Sequence, residues 1–271
     1  MIFGNASWGF RETPLERQLE ITKNMGLSVL ELGIANAPND LPLDGDTAAV
    51  KALYEKYGVA LVCAATGNDF TTGGTDDVEK VERVIDLCAE LGVKYLRIFA
   101  GFSPVGEVCG ARWDTMIGCL KQVGAYGAQH GVLPLIETHG GVNTYDDGVE
   151  HFYTTSTEPD VLLKMLEMLP ENIGMLYDPA NLYAVGIERP DTVYQRIKNR
   201  VFCIHMKDFV TLPSGHLKPA ACGESRMDWK ELLNGIGDCE KIALFEYENT
   251  EDVAEGCKRC YDFIKNTIKE N

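Results

Sequence analysis

Basic residues are in deficit: 25 Lys and Arg stand against 41 Asp and Glu in 271 residues, a formal net charge of -16. Affinity for nucleic acid comes largely from cations that neutralise phosphates, so this balance argues against such a partner. Acidic helix faces account for it as a solubility device. Long apolar runs are missing as well. Nothing approaches the roughly 18 consecutive apolar residues of a membrane span, and no signal-like region opens the chain. The nine cysteines form no disulfide-like array and their number is odd, which is the usage of reduced thiols and predicts a cytoplasmic location. Cys257 and Cys260 have CxxC spacing, but they fall in a helical pattern with no second pair. Neither the GxGxxG fingerprint nor a Walker A loop occurs, so the common nucleotide cradles are excluded.

Hydrophobic content of 45% and charged content of 24% are ordinary for a globular chain with a good-sized core. Short apolar runs at 2–8, 28–33, 59–65, 93–100, 132–137, 173–177, 201–205 and 242–246 read as strands. Helical periodicity fills the intervals, clearest at 76–91, where Val78, Val81, Ile85, Cys88 and Leu91 recur at steps of three and four. Thr13 is expected to cap the first helix, with Pro14 in its first turn. Gly26, Gly58, Gly92 and Gly131 close helices just before strands two to five. Residues 138–158 and 206–227 read as long loops. Eight strand–helix units without a linker predict an α/β protein, a (β/α)8 TIM barrel forming a single domain over 1–271. A doubly wound sheet would need no eighth unit.

In a barrel the C-terminal strand ends open onto one face, where the chemistry is kept. Strand five ends on Glu137, six on Asp178, seven on His205 and eight on Glu246. Each is a metal-ligand type, and consecutive units bring them to one rim. Three carboxylates and one imidazole make a hard site that suits Mn2+, Mg2+ or Co2+ better than a thiolate zinc centre.

Several motifs carry a resemblance. They are Leu-Glu-Leu-Gly (30–33), Leu-Arg-Ile-Phe-Ala-Gly (96–101), Glu-Thr-His-Gly-Gly (137–141), Tyr-Asp-Pro-Ala-Asn (177–181), His-Met-Lys-Asp (205–208), Gly-Glu (223–224) with Asp228-Trp229, and Phe-Glu-Tyr-Glu (245–248). Together, over essentially the whole chain, they resemble the xylose isomerase-like TIM barrels, the sugar phosphate isomerase/epimerase superfamily. The resemblance implies that Glu137, Asp178, His205 and Glu246 bind one divalent metal, commonly Mn2+, with Mg2+, Co2+ or Zn2+ as alternatives. It also implies that Glu137 and Glu246 form an acid–base pair on opposite faces of a small sugar substrate. The chain departs from the free-ketose 3-epimerases of that family at Asn181, where they carry His, and at Thr211, where they carry Arg. An ordinary ketohexose substrate is thereby put in doubt.

Such a site suits isomerisation or epimerisation of a keto sugar, sugar phosphate or 3-keto sugar derivative. A metal on the ketone and its neighbouring hydroxyl acidifies a carbon-bound proton, a carboxylate removes it, and an enediolate forms. The alternative on the same site is a lyase or dehydratase, in which the enediolate expels a β-leaving group. A third class is a sugar-binding protein with a relic site. Around this core, His139 and Lys207, each two residues past a strand-end ligand, are expected at the substrate. Asn181 joins them, as does Glu224 on the resemblance. Glu31 and Arg97 either pair with each other or line the pocket. Trp8, with Phe70 and Trp113, offers apolar walls. His130, His151 and His216 read as surface residues, and the Gly73-Gly74 and Gly140-Gly141 pairs as turns or weak phosphate nests. No membrane or nucleic-acid partner is expected; the oligomeric state, a homo-oligomer included, stays open.

Overall fold

Side chains alternate from one face of a strand to the other, so a strand packed between a barrel interior and a helical shell must be apolar on both faces. The computed structural model of this chain, which describes residues 1–237 and 239–269, follows that rule. Its barrel strands are β1 (Ile2–Asn5), β2 in two halves (Val29–Leu30 and Leu32–Gly33), β3 (Cys63–Ala65), β4 (Tyr95–Ile98), β5 (Leu133–Glu137), β6 (Gly174–Tyr177), β7 (Val201–Met206) and β8 (Ile242–Phe245). All pair in parallel, each with its neighbour in sequence, and β8 returns to β1. The ring closes through β2. Its first half pairs with β1 and its second half with β3, and Glu31 lies at the break. The architecture is a (β/α)8 TIM barrel.

Two apolar clusters separate the faces. Ala6, Val29, Cys63, Leu135, Leu176, Cys203, Ile242 and Leu244 fill the barrel interior. Leu30, Leu96, Ile136, Met175, Ile204, Ala243 and Phe245 point outward into the shell of helices. Period two then fixes the strand ends: Glu137 follows Leu135, Asp178 follows Leu176, His205 follows Cys203 and Glu246 follows Leu244. Each ionisable group is the next inward position after an interior apolar residue. The shell helices form as their periodicity dictates. In the helix Asp76–Leu91 the first turn carries Asp76, Asp77 and Glu79, which complement the positive end of the helix dipole. Gly92, in the left-handed region at φ 75°, closes it with a bond to the Ala89 carbonyl.

Three local features differ from expectation. The first helix begins at Leu15 with Pro14 at its N-cap, so Thr13 makes no cap bond. A short helix, Pro179–Ala184, follows β6 directly, with Asp178 accepting from the Asn181 amide as its cap. The two long loops are folded. Residues Gly141–Tyr145 and Gly148–Phe152 form one hairpin, and Asp208–Thr211 with Leu217–Ala220 form another. The two join at Leu217 and Val149 into a four-stranded antiparallel sheet whose residues help line the cavity at the barrel mouth. Asp208 anchors it by accepting from the backbone N–H groups of Phe209 and Gly223 and from Trp229 Nε1, at 2.8–3.0 Å. Gly140 and Gly141 are packing positions here, since a Cβ on Gly141 would strike the Phe152 ring.

Glycine placement gives a two-sided stability test. A Cβ on Gly4 would stand 2.5 Å from the Val29 carbonyl oxygen across the β1–β2 pair, whereas one on Gly118, inside the helix Ala111–His130, meets nothing within 4 Å. Gly4→Ala should destabilise by about 1–3 kcal/mol through overpacking, and Gly118→Ala should stabilise by about 0.4–1 kcal/mol. Chemical denaturation curves of the two variants check both signs.

Candidate active site

The parity of the strands brings four side chains together. One ligand atom from each of Glu137, Asp178, His205 and Glu246 lies within 4.8 Å of all the others. His205 Nδ1 is 3.3 Å from Glu137 Oε1, 3.3 Å from Glu246 Oε2 and 3.7 Å from Asp178 Oδ2. None of the four residues is more than 3% exposed. Both His205 ring nitrogens and Asp178 Oδ2 are buried without a hydrogen-bond partner. Buried polar atoms are rarely left unpaired; here His205 Nδ1 and Asp178 Oδ2 face each other beside the Glu137 and Glu246 carboxylates, which fits a bound cation, while Nε2 faces Glu31.

The charge balance points the same way. Four buried carboxylates, from Glu31, Glu137, Asp178 and Glu246, face two fixed cations, Arg97 and Lys207. Burial holds the Glu137 carboxyl above its ordinary range, with the Glu246 charge adding to it. Burial opposes ionisation of Asp178 and Glu246 as well, but the charges of Lys207 and His205 outweigh it and hold both below the carboxylate range. At His205 burial works against the proton, yet the Glu246 and Glu137 charges prevail and keep it on the imidazole. A divalent ion would supply the missing positive charge and leave the imidazole neutral, the form in which it ligates.

Around this centre the other expected residues take distinct places. Arg97 does not pair with Glu31. Its Nε is 3.4 Å from Glu137 Oε2, its Nη1 donates to the Thr66 carbonyl at 2.9 Å, and its guanidinium lies over the Phe99 ring. Glu31 is wholly buried below the cavity. Its Oε2 accepts from the Ser7 N–H and hydroxyl, and its Oε1 stands 3.9 Å from His205 Nε2. Asn181 is also wholly buried; its amide donates to Glu137 Oε1 at 3.2 Å and to the Thr138 carbonyl at 3.1 Å. Lys207 donates to Glu246 Oε2 at 3.0 Å and to Glu248 Oε1 at 2.9 Å, and lies 3.4 Å from Asp178. Glu224 is away from the centre. It caps its own loop through the Ala221 N–H and pairs with Arg259. Thr211, at the exposed end of its strand, lines a different cleft together with Glu224. Phe70 and Trp113 are core packing.

Above the four ligands is a cavity of about 370 Å³, lined at its floor by Arg97, Glu137 and Glu246 and at its sides by Trp8, Phe99, Phe102, His139, His151 and Phe209. His151 is therefore a wall residue, not a surface one. Burial, reinforced by the Lys207 charge, lowers the His139 imidazole to about 3 and that of His151 to about 4, so both are neutral at pH 7. His139 is wedged edge-on against Phe99 and Phe102, with Nδ1 2.6 Å from the Gly140 carbonyl. Sequence reasoning missed His151, Phe209 and Glu248. A signal existed for the first two: a two-residue Asp146-Asp147 turn before Gly148, and Pro213-Ser214-Gly215, both mark hairpins that fold back over the mouth.

A family model described as xylose isomerase-like TIM barrel matches residues 19–266. No curated protein matches. Among solved structures, the probable 3-DHS dehydratase AsbF of Bacillus anthracis superposes with a TM-score of 0.77 at 13% identity, covering 98% of this chain and 99% of that one. The IolI protein with a bound zinc atom gives 0.76 at 16% identity, covering 100% and 99%. A D-allulose 3-epimerase from Methylomonas sp., in complex with D-allulose, gives 0.74 at 15% identity, covering 98% and 97%. At these identities the likeness is one of fold.

Groups behind a metal-ligating imidazole orient it and raise its basicity, and losing them costs about 10–100-fold in metal affinity. Glu31 stands in that place behind His205. Glu31→Gln is expected to weaken divalent metal binding by that factor, read by competition against a chromophoric chelator. Unchanged affinity would show that Glu31 is only a buried structural acid.

Proposed function

Because the chain belongs to the xylose isomerase-like TIM barrel family, we propose that it is a metal-dependent sugar isomerase or epimerase working by proton transfer next to a ketone. One observation carries this reading. Of the four clustered residues, Glu137 and Glu246 line the cavity, whereas Asp178 and His205 lie beneath it. Two carboxylates are therefore presented to a ligand from different strands, while the other pair is reserved for holding a cation.

Glu137, Asp178, His205 and Glu246 would hold the ion, with Mn2+ the best match to an oxygen-rich donor set. When bound, a divalent ion supplies Lewis acidity that polarises the substrate's ketone oxygen and adjacent hydroxyl. The protein's own groups do the rest. Glu137, steadied by Asn181 on one oxygen and Arg97 on the other, takes the carbon-bound proton. Glu246, steadied by Lys207, returns one from the opposite face, which inverts that carbon; return to the neighbouring carbon isomerises. His139 and Trp8 position the sugar from the walls, and the apolar walls keep water from the enediolate. Arg97, Asn181, Lys207 and Glu31 act as positioning residues. Glu224 has no part in this scheme. The same proton abstraction leads to elimination where the substrate carries a leaving group at the β carbon and the loops place an acid beside it, which is the lyase alternative.

The test is proton NMR of the metal-loaded protein with a panel of keto sugars in D2O. Deuterium should enter at the carbon next to the ketone without loss of water or aglycone, whereas such loss would mark a lyase. General acid–base groups contribute about 10²–10⁴-fold, so Glu137→Gln and Glu246→Gln should each lower exchange by a factor in that range. Normal turnover in Glu246→Gln would end the acid–base assignment.

A further inference from the structure

Resting on the reading above, we infer that the substrate is an uncharged keto sugar that carries an apolar, aryl-sized group on its far end. A sugar phosphate does not fit this chamber.

Arg97, Glu137 and Glu246 form the charged floor of the cavity, and Asn36, His139, His151 and Glu248 are the other polar residues that line it. The rest of the wall is apolar. Trp8 comes from the loop after β1, Phe102 from the loop after β4, Val142 and Val149 from the first hairpin, and Phe209 and Pro219 from the second. Four separate segments thus converge apolar side chains on one space. Val142, 41% exposed, stands at its open edge. A bare sugar presents hydroxyls in every direction and would leave those turned to this apolar part of the wall facing carbon, where an unpaired polar group costs free energy. The volume of about 370 Å³ falls within the ~300–1,000 Å³ of pockets that enclose drug-sized ligands. The arrangement fits a ligand that is polar at the reacting end and apolar at the other.

Charge excludes the phosphate. Arg97 is the single Lys or Arg among the lining residues, and its guanidinium is turned to Glu137, the Thr66 carbonyl and the Phe99 ring. Lys207 is committed to three carboxylates. Three carboxylates, those of Glu137, Glu246 and Glu248, line the cavity. A phosphoryl group brings nearly two negative charges and needs paired donors. Neither glycine pair lines this cavity.

The experiment compares three ligands on the metal-loaded protein: a phenyl 3-keto-pyranoside, the same 3-keto sugar without the phenyl group, and a ketohexose 6-phosphate. Affinity is read by ligand-observed NMR and proton transfer separately by deuterium exchange. The phenyl ligand should bind at least about tenfold tighter than the unsubstituted sugar, and the phosphate weakest of the three. A phosphate that binds as well as the phenyl ligand, or a phenyl group that adds nothing, would overturn the inference. Val142→Arg adds a cation at the exposed edge without disturbing the core. It should shift the phenyl-to-phosphate affinity ratio at least about tenfold towards phosphate, and an unmoved ratio would contradict the placement of the ligand against that wall. Tight phenyl binding with no exchange on any ligand would support the ligand class while refuting the isomerase reading. Exchange on the phosphate at equal affinity would do the reverse.

Discussion

Burying like charges together is the costliest thing this chain does, and the mouth of the barrel is arranged around it. Glu31, Glu137, Asp178 and Glu246 are each at most 3% exposed, in surroundings where an unpaired carboxylate is strongly disfavoured. Arg97 and Lys207 offset two of the four charges and are themselves buried for that purpose. A proton on His205 would supply only one of the two charges that remain, so the rest calls for a cation beside the unpaired His205 Nδ1 and Asp178 Oδ2. A divalent ion balances the count with a neutral imidazole. The same requirement explains why Asn181, Ser7 and Glu31 are turned inward: each holds a ligand, or a ligand's neighbour, in place.

The barrel makes this arrangement cheap in geometry. An interior apolar layer at Leu135, Leu176, Cys203 and Leu244 sets the parity, and the next inward position on each strand must then point into the mouth. Rigid strands place the charged floor, while two hairpins joined edge to edge place the apolar walls. Floor and walls are under separate control. The floor fixes the type of chemistry, and the loops fix what can reach it, as is usual where one scaffold serves many reactions.

Much of this was legible in the residues. Eight strand–helix units gave the barrel, and acids or histidine at the ends of strands five to eight gave the cluster. Glu31 and Arg97 were harder. Both were expected either to pair with each other or to line the pocket, yet parity alone places them inward, where the deciding factor is the nearest charged neighbour across the barrel. That neighbour is His205 for Glu31 and Glu137 for Arg97. Glu224 and Asn181 show the limit of carrying a motif over by position. Each occupies its expected place in the chain, but Glu224 turns to Arg259 and Asn181 to Glu137. The walls were unreadable as walls because hairpin strands at the rim have one face on the cavity and one on solvent, so His151 looked like any loop histidine.

We propose that the buried Glu–Asp–His–Glu cluster holds one divalent cation. Elemental analysis of protein purified without chelators, then dialysed against Mn2+, tests it most directly when set beside an Asp178→Ala variant that folds with the same circular dichroism. One divalent ion per chain in the parent, lost in the variant, is the predicted result. A metal-free parent after dialysis, or a variant that retains its full complement, would contradict it.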